Sequence, residues 1–230
     1  MDNPDYSKSA LWRVSIAGFR ANLVPGLFLW FFGLGVVLTY YFVDSSRSFF
    51  EEVIETKRTY GYLYSFISTG FFGGLIPFLY LWAFKKIKKG MVCSYGAFFV
   101  LYWAARGTEV DAFYRLQSIL FGDGLDWVTI LTKVLVDQFV YCILWAAPVT
   151  AVFYGWKDYG FSWSLLLRRM TKQSFLFEVA RLLLSTWLVW VPATAIIYSL
   201  PPALQVPLFS LTLCFFVLLV SVFSKDEGAE

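Results

Sequence analysis

Eight ionisable side chains stand in or beside long apolar runs, at spacings that make them neighbours on a helix face. Lys133 and Asp137 are four apart, with Gln138 just past them, and Glu178 and Arg181 are three apart. Arg106, Glu109, Asp111 and Arg115 interrupt another apolar stretch, and Asp111 and Arg115 are again four apart. Each set can neutralise itself along one face, and together they balance at four basic and four acidic groups. At membrane depth an ionisable side chain costs about 2.5–3.5 kcal/mol on insertion scales, so these groups are expected to face inward rather than lipid. Two readings stay open. The pairs are structural glue, with Lys133 and Glu178 near the interface, or their faces converge on a water-accessible pathway or substrate cavity.

Other chemistries are excluded or given no support. Histidine is absent, which removes histidine triads, histidine metal sites, histidine-ligated haem and histidine proton relays. Cys93, Cys142 and Cys214 lack paired spacing and read as small core residues, with neither a disulfide framework nor a zinc site expected. Asp123 and Asp126 lie in a Gly-Asp-Gly-Leu-Asp loop that reads as a turn rather than the aspartate-rich metal site of a lipid or isoprenoid enzyme. No cofactor or metal is expected. A formal charge of +3, with no basic patch interleaved with exposed aromatics, gives no case for nucleic acid.

The elements that must position these residues are membrane helices. Of 230 residues, 59% are hydrophobic and only 15% charged. Soluble domains average about 25% charged and about 45–50% apolar residues, so lipid is the expected solvent. The length allows one transmembrane domain over 1–230. A spanning helix needs about 20 mainly apolar residues. Runs of that kind cover Leu23–Val43 (with Pro25 at the entrance), Tyr60–Phe84, Trp127–Trp156, Ser174–Leu200 and Ala203–Phe223. Lys85, Lys86, Lys88 and Lys89 stop the second run, and Pro201-Pro202 forces a turn between the last two. The fold class is an all-α polytopic transmembrane helix bundle of five or six spans.

The stretch 95–122 decides between five and six. It reads either as an interfacial amphipathic helix or as a sixth span with its charges turned inward. If it crosses, the basic residues of the N-terminus, the 85–94 loop, the 157–173 loop and Lys225 fall on one side, and only Arg47, Lys57 and Arg58 on the other. The positive-inside rule therefore favours six crossings with both termini inside. Gly70, Gly73 and Gly74 read as helix-packing positions, with Gly70 and Gly74 in small-xxx-small spacing. Pro77, Pro148 and Pro192 are expected to kink their spans. The first 20 residues hold Lys8, Arg13 and Arg20 and lack a small-residue cleavage pattern, so no removable leader is expected.

Several local patterns, in the same order, resemble the Mpv-seventeen / peroxisomal membrane protein twenty-two family of small multi-span proteins. They are Leu11-Trp12-Arg13 before Asn22-Leu23-Val24-Pro25; Arg58-Thr59 before Gly70, Gly73, Pro77 and Trp82; Lys133-Val134-Leu135-Val136-Asp137-Gln138; and Trp190, Pro192, Tyr198, Pro201 and Pro207. Relative to that family, Val191 separates Trp190 from Pro192, and 85–126 looks like an insertion, which fits a divergent or bacterial-type member. The resemblance implies weakly selective pore activity for small solutes or ions. It makes Asp137 and Gln138 candidate pore-lining residues and Arg58 a candidate for an ion pair with an intramembrane acid. It further implies a bacterial inner membrane, or a mitochondrial inner or peroxisomal membrane in a eukaryote. The lipid bilayer is the expected partner, and assembly as a homo-oligomer is compatible with the resemblance. A membrane enzyme acting on lipids or isoprenoids and a non-catalytic assembly or scaffold protein are the alternatives.

Overall fold

The computed structural model describes residues 6–87 and 90–223. Lys88, Lys89 and Lys225, counted above in the charge asymmetry, lie outside the described residues. Among the described residues every regular element is helical. In chain order they are α1 (Lys8–Phe42), α2 (Arg47–Tyr60), α3 (Tyr62–Ala83), α4 (Val92–Phe121), α5 (Trp127–Asp158), α6 (Trp163–Arg169), α7 (Lys172–Tyr198) and α8 (Pro202–Phe223). Helices α1, α3, α5, α7 and α8 are long and apolar enough to cross a membrane. Their outer faces carry large apolar side chains such as Phe31, 73% exposed, and Leu144, 71% exposed. Water would penalise such surfaces, whereas lipid does not. The chain is an integral membrane helix bundle.

Helix directions follow from which residues touch. Helices α1 and α7 run parallel: Gly18 lies against Ser185, Gly26 against Val189 and Gly33 against Ile196. Along the same seam Asn22 Nδ2 donates to the Ser185 carbonyl at 2.7 Å, and Trp30 Nε1 donates to the Val189 carbonyl at 3.0 Å. Helices α3 and α4 run antiparallel, with Gly70 on Ala104, Gly74 on Val100 and Phe78 on Gly96. Helix α5 is antiparallel to both α4 (Tyr102 with Thr150, Glu109 with Tyr141) and α7 (Asp137 with Tyr198, Phe139 with Trp187). The chain therefore reverses at each of the six long helices. If α4 did not reverse it, α1 and α7 would be antiparallel. The 95–122 stretch thus falls largely in a 30-residue helix, Val92–Phe121, packed antiparallel along α3. Below, the end of the bundle where α1 begins and α8 ends is called lower, and the end holding α2, residues 122–126 and Pro201 is called upper.

The first helix starts at Lys8 rather than at Leu23, and Pro25 lies inside it. The Ser7 hydroxyl caps the early start by accepting from the Ala10 N–H at 3.1 Å, and α7 supplies a packing partner from Gly18 onward. Glycine is required most plainly at Gly74: a Cβ there would stand 2.6 Å from the Phe99 carbonyl oxygen and 2.8 Å from Val100 Cα. Those are backbone atoms and have no room to give. Two of the three prolines expected to kink their spans follow widened turns. The helix is π-helical over Gly70–Leu75 just before Pro77, and over Asp137–Ala146 just before Pro148. Proline cannot donate to the carbonyl four residues back and its ring crowds that oxygen, a conflict that a wider turn relieves. Pro192 sits within continuous α-helix.

The two ends of the bundle pack differently. At the upper end Tyr114, Val134, Ile197, Tyr198, Leu204 and Phe209 belong to one continuous buried cluster, joined by Phe50 of α2. Toward the lower end α4, α5, α7 and α8 splay around a cavity.

Candidate functional site

The cavity measures about 670 Å³, within the ordinary range for small-molecule sites. Its lower rim carries Asp158, Met170, Ser174, Glu178 and Arg181, from the α5 end, the α6–α7 connection and the first turns of α7. Its walls are apolar and aromatic, with Trp103, Trp187, Trp190, Phe216 and Val220 among them. At its upper end stand Tyr114, Asp137, Gln138 and Tyr141.

The π-helical stretch of α5 turns Asp137, Gln138, Tyr141 and Cys142 onto this one cavity. In such a widened turn residues five apart come together, and the Cys142 thiol lies 3.7 Å from Asp137 Oδ1. Gln138 Nε2 donates to the same oxygen at 2.9 Å. Asp137 Oδ2 accepts from the Tyr198 hydroxyl at 2.6 Å, and Tyr198 in turn accepts from Gln117 Nε2 at 2.7 Å. Tyr198 is the last residue of α7, held there because Pro201 and Pro202 turn the chain directly afterwards. Its ring packs edge-on against Tyr114 at 5.0 Å. Asp137, Tyr198, Gln117 and Tyr114 form a layer that closes the cavity above.

The pairing expected between Lys133 and Asp137 does not form. Lys133 reaches upward to Asp123 at 3.5 Å, its ammonium 5.9 Å from the centre of the Tyr198 ring. Lys133 leans toward the α5 N-terminus, where Asp123 lies, and so away from Asp137. The other two pairs form. Asp111 meets Arg115 at 3.0 Å, and Glu178 meets Arg181 at 2.6 Å. That second pair is partly exposed on the cavity's lower rim.

Asp111 also gains a partner that sequence spacing did not identify. Lys57 Nζ lies 2.5 Å from Asp111 Oδ2, and Ser65 Oγ donates to the same oxygen at 2.8 Å. The ion pair expected of Arg58 is made instead by its neighbour Lys57, while Arg58 is exposed. One residue along a helix rotates the side chain by about 100°, enough to exchange the buried and exposed faces. Asp111 and Arg115 do not line the cavity, nor do Gly70, Gly73 and Gly74, which lie between α3 and its neighbours. Of the expected residues, Asp137, Gln138, Glu178 and Arg181 line it together, and Lys133 sits just above its closed end.

Three further groups complete the site. Arg106, also on the cavity, gives Glu109 two bonds from Nη1, at 2.6 and 2.7 Å. Tyr141 donates to Glu109 Oε1, and its ring stacks on Phe113 at 4.1 Å. Tyr198, Gln117 and Tyr141 carry polar atoms in apolar helices, the same signal that singled out Asp137, but tyrosine is so common in this chain that it did not separate them. No family model matches the chain, and no curated protein or solved structure matches it either.

Proposed function

We propose that the protein passes small solutes across a membrane with weak selectivity, through the cavity between α4, α5, α7 and α8. The single observation that carries this reading is the cavity's course, from a charged rim at the lower end to a buried polar layer beneath the upper-end cluster. The chain keeps ionisable groups there despite their cost at membrane depth. The conformation described is closed above, because Tyr198 and Asp137 bar the way between the cavity and the Lys133–Asp123 pair. Opening then requires Tyr198 to release Asp137.

The reading includes six crossings with both termini on the cytoplasmic or matrix-equivalent side. The alternation of helix directions supports six. Lys85, Lys86, Arg168 and Arg169 lie at the lower end, which the positive-inside rule places inside. The resemblance of several local patterns, in order, to the Mpv-seventeen / peroxisomal membrane protein twenty-two family supports the same function. A second reading, binding of a lipid or isoprenoid, is favoured by the apolar walls at Trp187, Phe216 and Val220. Liposomes containing the purified protein test the first reading. Solute flux that falls in Asp137→Asn is expected, whereas tight liposomes with well-inserted protein and a lipid retained through purification would support the second.

A further inference from the structure

We infer that the closed end of the cavity binds an organic cation, an amine or quaternary ammonium with an apolar body, its charged head on Asp137. The inference rests on the cavity being a solute site, as proposed above, and names the class of solute.

Asp137 lines the cavity yet is only 5% exposed. Its three hydrogen bonds come from neutral donors: the Tyr198 hydroxyl, the Gln138 amide and the Cys142 thiol. The basic groups around it are engaged elsewhere. Arg106 is held by Glu109, Arg181 by Glu178, and Lys133 by Asp123 above the Tyr198 ring. Asp158 on the rim meets Lys157 at 2.7 Å, so among the described residues Asp137 is the acid on the cavity without a basic side chain in contact. A buried carboxylate so placed gains from a cation that can enter beside it. An anionic solute would meet only arginines that already have partners.

The surroundings select among cations. A small inorganic ion needs about six or more oxygen ligands, and beside Asp137 the Gln138 amide and Tyr198 hydroxyl are accompanied by aromatic rings and a thiol. Weakly hydrated organic ammonium groups gain from aromatic faces, and Tyr114, Tyr141, Trp190 and Phe209 all line this part of the cavity. The apolar walls below would take the body of the same molecule.

Isothermal titration of the full chain in detergent micelles tests this, with phenethylammonium as the probe, phenethyl alcohol as its neutral counterpart, and empty micelles subtracted. Saturable binding of the amine is expected, roughly tenfold tighter than the alcohol. Asp137→Asn should weaken the amine roughly tenfold and abolish the preference for amine over alcohol, with an unfolding midpoint close to wild type certifying that the variant is folded. Asp137→Glu should retain preference for the amine. Amine and alcohol binding alike, or an amine affinity unchanged in Asp137→Asn, or no amine binding to the wild type, would each overturn the inference. Binding is read without flux, so the two proposals separate. Tight liposomes alongside Asp137-dependent amine binding would remove the permeation pathway and keep the site, and flux without amine binding would do the opposite.

Discussion

Asp111 and Asp137 are buried alike, at 4% and 5% exposure, yet the bundle treats them in opposite ways. Asp111 sits in the α3–α4 hairpin between two cations and a hydroxyl, away from the cavity that Asp137 lines. That hairpin is drawn together by glycines, so little space is left for solute. Asp137 sits where four helices part, with neutral partners and open space below. The contrast separates a charge held between cations from one held by neutral groups beside a cavity. Burial by itself does not distinguish them, but the identity of the partners does.

The largest expected effect that sharpens this contrast is Lys57→Met, which leaves Asp111 buried with its partnering reduced. Removing one side of a buried ion pair costs about 3–5 kcal/mol, and Arg115 and Ser65 should hold the loss near the lower end. Thermal unfolding in detergent measures it, and an unfolding temperature equal to wild type would contradict a structural role. Gly74→Val should follow, at about 1–3 kcal/mol, because the new side chain meets the Phe99–Val100 backbone. Helix α4 should then separate from α3, detectable as faster proteolysis or a lower midpoint.

Asp137→Asn should change stability by less than about 1 kcal/mol, since an amide oxygen still accepts from Tyr198. If it destabilises as much as Lys57→Met, Asp137 is a holding charge like Asp111 and the comparison fails. The smallest effect lies outside the bundle, at the N-terminus of α5. There Asp126 accepts from the Thr129 hydroxyl at 2.7 Å and from the Val128 and Thr129 N–H groups at 3.1 Å. These bonds, the Thr129 hydroxyl first, hold its carboxyl below the ordinary value of 3.8. A lowered folded-state pKa stabilises above the unfolded value and loses that contribution as pH falls through the folded one. Asp126→Asn should therefore reduce stability slightly at neutral pH, and the difference from wild type should fade as pH drops below about 4. A difference that persists in strong acid would show that the charge is not the source.

Composition and run length by themselves determined that this chain is a bundle of membrane helices, because the need for about 20 apolar residues per crossing is a local property of each segment. The i, i+3 and i, i+4 pairs Asp111–Arg115 and Glu178–Arg181 were legible for the same reason: helix geometry alone brings them together. What decided the rest came from distant segments. Asp111 meets Lys57 across 54 residues, and Asp137 meets Tyr198 across 61. No spacing rule reaches that far. The widened turn before Pro148 also shifted the face of α5, which a regular helical period does not foresee. Only the packed bundle settled which acid is surrounded by cations and which is left facing a cavity, because the energy of a buried charge depends on every helix that closes around it.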